Sequence, residues 1–201
     1  MTQIIELIFD FASPNAYLAY RVLPGILQRT GARLVITPCL LGGIFKLTGN
    51  QAPMFAFSGV KGKMEYEMLE MRRFIAREKL ASFQMNPHFP INSLTLMRGL
   101  MAVGADNTAY IEAVLAGMWE TGRDMAKPEV VAEVLTAAGL DAAGILAGAQ
   151  SDAAKQALAN NTSAAVERGA FGIPTMFVGT EMFFGKERLG QMEDYLKTGE
   201  A

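Results

Sequence analysis

Strand-forming sequence sits at the two ends of this chain and almost nowhere between, and that distribution constrains its fold more than any other feature. Ile4, Ile5, Leu7, Ile8 and Phe9 make a short, β-branched-rich apolar run that suits a buried central strand. Ser13 can then cap a helix and Pro14 can take its first position, where the missing N–H costs nothing. Leu18, Val22 and Ile26 repeat at spacings of four until Gly31 stops the run. Leu34, Val35 and Ile36 make a second strand, so the opening predicts a right-handed βαβ unit with parallel strands. Past Pro38, helix-like periodicity runs for more than a hundred residues, with segments at 61–80, 93–103, 107–120, 128–138 and 151–168. Breaks fall at 86–90, at 104–106, from Gly122 to Pro128 and from Gly139 to Gly148. Strand chemistry returns at Thr175-Met176-Phe177-Val178, turns at Gly179-Thr180 and resumes at Met182-Phe183-Phe184. A last helix is expected over Glu187 to Lys197, with Leu189, Met192 and Leu196 on one face.

With its helical middle removed, the chain reads β-α-β followed by β-β-α. The expected fold class is therefore α/β, a thioredoxin-like core with a large all-helical insertion. The core would span 1–40 and 170–201, and the insertion 41–169. The first strand-to-helix junction, Ser13-Pro14-Asn15-Ala16, is where a redox protein of this design carries Cys-x-x-Cys. Neither position holds sulfur, and the chain's one cysteine, Cys39, lies well downstream. Dithiol exchange by this motif is excluded. A polar side chain at a helix N-terminus remains, where unpaired N–H groups and the macrodipole favour an anion such as a thiolate. Sulfur chemistry here would need a borrowed sulfur.

At 201 residues and a net charge of −2, the chain can bury a sizeable core, and its dispersed charges offer no basic stripe for nucleic acid and no polybasic membrane anchor. A lone cysteine cannot staple the chain to itself, the start has no signal-peptide pattern, and no apolar run reaches the roughly 18–20 residues that span a bilayer. A cytoplasmic setting is the expectation. With a single histidine, His88, in a proline-flanked turn, no metal constellation is apparent, and His88 reads as structural or solvated.

Five segments, in this order and spacing, carry a family resemblance across essentially the whole chain: 9–14 (Phe-Asp-Phe-Ala-Ser-Pro), 43–50 (Gly-Ile-Phe-Lys-Leu-Thr-Gly-Asn), 89–94 (Phe-Pro-Ile-Asn-Ser-Leu), 169–175 (Gly-Ala-Phe-Gly-Ile-Pro-Thr) and 182–189 (Met-Phe-Phe-Gly-Lys-Glu-Arg-Leu). The sequence resembles the glutathione-dependent 2-hydroxychromene-2-carboxylate isomerases, related to kappa-class glutathione transferases and sharing the fold of DsbA-type oxidoreductases. It departs from that pattern twice. Lys186-Glu187 stands where Asn-Asp is usual, and Asn15 where an aromatic is usual.

The resemblance implies glutathione as cofactor, a small aromatic carboxylate or other electrophile as substrate, and a homodimer. It makes Ser13, otherwise an ordinary N-cap, the hydroxyl that holds the glutathione sulfur as thiolate. Pro174, otherwise a proline opening a strand, becomes a cis-proline, with the Ile173 backbone pairing with the cysteinyl part of glutathione. Asn50, in an expected Gly-rich loop, would bond the glutathione backbone, and Lys46, otherwise a solvated charge, would meet the substrate carboxylate. Lys186, Glu187 and Arg188 would bind the γ-glutamyl end at the start of the last helix, Glu187 taking the α-amino group. The plain reading of Glu187 is an acid complementing the helix dipole. Phe55 and Phe57, with some of the methionines dense between Met54 and Met125, are expected to line an apolar substrate pocket; most of those methionines read as core filler. The same site would serve a kappa-type transferase or peroxidase that consumes glutathione. A third reading is a non-catalytic thioredoxin-fold module that holds extended peptide.

Overall fold

The protein is described by a computed structural model covering residues 2–104 and 107–199. The N-terminal apolar run forms β1 (Ile4–Phe9), paired in parallel with β2 (Arg33–Pro38) from Ile4 opposite Arg33 to Phe9 opposite Pro38. Between them runs α1 (Pro14–Thr30), stopped by Gly31 at φ 70°, whose N–H donates to the Leu27 carbonyl. Leu23, rather than Val22, is buried on α1, because the buried stripe steps by three and four residues and not by four alone.

The C-terminal run supplies β3 (Thr175–Val178) and β4 (Glu181–Phe184). β3 lies antiparallel to β1 and β4 antiparallel to β3, in the order β2-β1-β3-β4. β1 is thus central, and its Leu7, Ile8 and Phe9 are fully buried, as a strand with neighbours on both edges requires.

Helices fill the interval: α2 (Leu41–Thr48), α3 (Pro53–Ala56), α4 (Lys63–Arg77), α5 (Leu94–Val103), α6 (Thr108–Trp119), α7 (Pro128–Ala137), α8 (Ala142–Gly148) and α9 (Asp152–Glu167). Five match the expected segments to within a few residues. α2, α3 and α8 were not expected, and α2 and α8 replace a Gly-rich loop and a break. Glycine lowers helix propensity, but here it permits close approach. A Cβ at Gly43 would come within 3.0 Å of the Thr162 methyl on α9, and one at Gly148 within 2.8 Å of Ala102 on α5. Of the expected break at 104–106, Ala105 and Asp106 lie outside the described residues. The last helix also differs from expectation. Lys186–Arg188 form a single 3-10 turn, and α10 (Leu189–Thr198) follows.

Insertion and sheet share one hydrophobic core. Phe9 meets Phe11 edge-on at 5.0 Å, Phe11 meets Tyr110 of α6 at 5.9 Å, and buried Trp119 donates its indole N–H to the Phe11 carbonyl at 2.9 Å. α9, assigned by sequence to the insertion, packs against both α2 and β2. Among the described residues, no helix is long and apolar enough to cross a membrane.

Candidate functional site

The turn from β1 into α1 is organised by Asp10, which is fully buried. One carboxylate oxygen accepts from the Ala12 N–H at 2.9 Å and the other from the Leu41 N–H, the first residue of α2, at 2.7 Å; the Ser93 hydroxyl bonds it as well. Burial nevertheless raises its pKa above the ordinary value, because desolvating the carboxylate outweighs the donors around it. The Asp10 carbonyl accepts from the Ser13 N–H at 3.2 Å. A single residue therefore fixes the approach to Ser13 and the first turns of α2 and α5. In the sequence Asp10 stands within the 9–14 motif without a role of its own. A carboxylate two residues before a turn N–H was the available signal, since short acidic side chains bond their own backbone in this way.

Ser13 is the N-cap of α1. Its Oγ accepts from the Ala16 N–H at 3.2 Å and donates to the Ile173 carbonyl at 3.0 Å. The Ile173–Pro174 peptide is cis, and the loop carrying it faces the helix N-terminus. Around this contact several polar groups have no partner among the described residues. These are the N–H of Ile173, the N–H of Asn15, and the buried Asn15 Oδ1. Unpaired donors at a helix start and a free N–H in the segment leading into β3 suit an anionic, peptide-like ligand.

Asn50 follows the C-cap of α2 and donates to the Phe171 carbonyl at 2.7 Å, tying α2 to the residues just before Ile173. Pro174 in turn accepts from the Gly185 N–H at 2.9 Å, which brings the 185–188 turn to the same place. Within that turn Lys186 is buried, its ammonium 5.5 Å from the centre of the Phe74 ring and ion-paired to the half-exposed Glu187 carboxylate. Glu187 is therefore already neutralised by its neighbour, a consequence of Lys-Glu standing where Asn-Asp is usual in the family it resembles. Arg188 is exposed and borders a separate groove with Phe171, Met182 and Phe184.

The structure does not gather every expected residue here. Lys46 lies on helix α2, not in a loop, and lines a groove against α5 and α9. Phe55 is 62% exposed on α3, a one-turn helix that buries nothing, and neither it nor Phe57 lines either described groove. His88 lies 3.9 Å from Asp124 in an exposed turn. Cys39 is buried, and desolvation together with the negative charges of Asp10 and Glu6 pushes its thiol up to about 12. At neutral pH it is no nucleophile.

The DSBA-like thioredoxin domain matches residues 4–197. The 2-hydroxychromene-2-carboxylate isomerase of Sphingobium xenophagum is 30% identical over 200 residues, covering 98% of this chain and 99% of that one. Glutathione S-transferase kappa 1 of Rattus norvegicus is 27% identical, covering 93% and 88%. A solved 2-hydroxychromene-2-carboxylate isomerase superposes with a TM-score of 0.82 at 28% identity, covering 96% and 94%. The chain thus belongs to the 2-hydroxychromene-2-carboxylate isomerase family, a kappa-transferase-related branch built on the DSBA-like thioredoxin domain.

Proposed function

We propose that the protein is a glutathione-dependent isomerase that interconverts 2-hydroxychromene-2-carboxylate, or a close aromatic analogue, with its open-chain hydroxybenzylidene pyruvate. The observation that carries this reading is a serine, not a cysteine, at the N-terminus of α1, hydrogen-bonded to the residue preceding a cis-proline. Bound glutathione would supply a thiolate that adds to the conjugated double bond, leaving a single bond that turns before the thiol is expelled.

The chain's own groups have defined parts in this. The free Ile173 N–H and its carbonyl offer one rung of strand pairing to the ligand backbone. A ligand N–H taking the Ile173 carbonyl displaces the Ser13 hydroxyl, which is then free to donate to sulfur. The unpaired Asn15 N–H in the first turn of α1 adds a fixed donor, and the helix dipole favours the negative charge. Asn50 steadies the loop through Phe171. Glu187 takes the ligand α-amino group, which must compete with Lys186 for it, since the two are ion-paired. Arg188 is assigned to the γ-glutamyl carboxylate.

An ultraviolet assay of hydroxychromene carboxylate with and without glutathione tests the reading. Turnover that requires glutathione and leaves its concentration unchanged is expected. Turnover that consumes glutathione would make the protein a transferase of the kappa type instead, and failure to bind glutathione at millimolar concentration would defeat both.

A further inference from the structure

We propose that the outer edge of β4 is a docking site for an extended segment of a partner protein, which adds to the sheet as a further strand and reads acidic, apolar, any residue, apolar, basic. β4 ends the order β2-β1-β3-β4, so among the described residues one of its sides has no strand beside it. The hairpin decides which groups that side offers. Glu181 stands opposite Val178 across the Gly179-Thr180 turn, and at the other end the Gly185 N–H donates to the Pro174 carbonyl at 2.9 Å. Hydrogen-bonded pairs alternate along an antiparallel ladder, so Glu181, Phe183 and Gly185 turn their backbone groups to β3 and its approach. Met182 and Phe184 turn N–H and C=O outward, and these groups have no partner among the described residues.

Open edges are ordinarily blunted by a proline, a bulge or a charge along their length. β4 has none of these between its ends: its register with β3 is unbroken, and its outward residues are methionine and phenylalanine. Their side chains are exposed, and the Phe184 ring packs on that of exposed Phe171 with centres 4.4 Å apart. The groove along them encloses about 270 Å³, below the usual size of a small-molecule site. Free backbone groups beside a groove for alternate side chains are the two halves of recognition by strand addition.

Charge sets the composition of the partner. Glu181 opens β4 and Arg188 lies in the turn beyond its end; both line the groove, and neither side chain has an ionic or hydrogen-bonded partner among the described residues. Antiparallel pairing is the more stable arrangement, and a strand so added starts beside Phe184 and ends beside Met182. Its residues opposite Phe184 and Met182 share their face and are apolar. The next residue stands opposite Glu181 and is basic, and the one before the pair lies toward Arg188 and is acidic. The proposal does not depend on the isomerase reading. Arg188 is the one group the two share, so binding is measured with no thiol present.

Fluorescence anisotropy with a labelled peptide, Gly-Ser-Glu-Leu-Thr-Leu-Lys-Ser-Gly, tests it on the wild type, and one site is expected. N-methylation of either leucine removes a donor to the edge and should weaken binding about tenfold. N-methylation of the threonine, whose N–H points away from β4, should be tolerated. A peptide with its Glu and Lys exchanged should bind the wild type about fivefold more weakly, and should regain affinity on the double variant Glu181→Lys, Arg188→Glu. Met182→Asp should weaken the original peptide about tenfold. The proposal is overturned if the peptide fails to bind at millimolar concentration, if N-methylation of leucine and threonine acts alike, or if the exchanged peptide binds the wild type as well as the original. Self-association in sedimentation that Met182→Asp abolishes would mean that a second copy covers the edge, which also overturns it.

Discussion

Two strand-to-helix junctions converge on Pro174, and they are built from opposite materials. The first, β1 into α1, presents neutral groups: a serine hydroxyl and the unpaired N–H of Asn15, with the Asp10 carboxyl buried in the turn before them. The second, β4 into α10, presents a charged pair, Lys186 with Glu187, on a 3-10 turn whose Gly185 N–H bonds the Pro174 carbonyl. Neutral donors at a helix start can hold an anion without adding a competing counter-charge, which suits sulfur. A charged pair can exchange one partner for a ligand ammonium, which suits the polar end of a peptide. On the proposed function, the same topological element, placed twice around one proline, divides the recognition of a single elongated ligand.

Removing the first junction's hydroxyl should have the largest effect. Ser13→Ala is expected to lower kcat about a hundredfold, the scale for a single anion-stabilising donor, with little change in glutathione affinity measured by calorimetry. Equal losses in both would place Ser13 in binding alone. The second junction should behave in the reverse way. Glu187→Gln leaves a buried ammonium without its acid, and urea unfolding should show a loss of about 1–2 kcal/mol, below the range for a fully buried pair because Glu187 is half exposed. It should also weaken glutathione binding, while Lys186→Met, which frees the carboxylate, should strengthen it. If both variants bind alike, the charged junction does not contact ligand.

Asp10 sets how independent the first junction is of the helical insertion. Asp10→Asn offers one acceptor where two backbone N–H groups need one each, and should cost about 1–3 kcal/mol by denaturant titration. Because burial raises the Asp10 pKa, the folded state holds its proton to higher pH than the unfolded chain does. Stability should therefore fall as pH rises from about 3.8 through the raised value and level off above it. Asp10→Asn should lack that slope; a slope of unchanged size in the variant would assign it to other groups. The smallest effect belongs to sulfur itself. Cys39→Ala should leave glutathione-dependent turnover unaltered, as expected of a thiol that is not ionised at neutral pH, and any large loss there would contradict the borrowed-sulfur account.

The first junction was legible in the sequence because its grammar is local. Ser13 as cap, Pro14 as first helical residue and Gly31 as stop are each decided within a few residues, and α1 follows them. The alternation of strand and helix signals likewise placed all four strands. The second junction was not legible, because the burial of Lys186 depends on Phe74, more than a hundred residues away in the chain. For the same reason the sequence of α2 reads as a loop, since its glycines lower local propensity and only the approach of Thr162 explains Gly43. Lys46 consequently landed on a helix facing α9, and Phe55 on a short helix open to solvent. Asp10 is legible only in its bond to Ala12, two residues on, because its other partners, Leu41 and Ser93, are remote in sequence.

The central claim, that Ser13 holds a borrowed thiol as thiolate, is tested most directly by titrating the thiolate absorbance of glutathione bound to the wild type and to Ser13→Ala. The account predicts a bound thiol that ionises well below its free value, near 8.5 for an ordinary cysteine, and a return toward that value in Ser13→Ala with glutathione still bound. A thiol that titrates at the same pH in both proteins, or at its free value in the wild type, would contradict it.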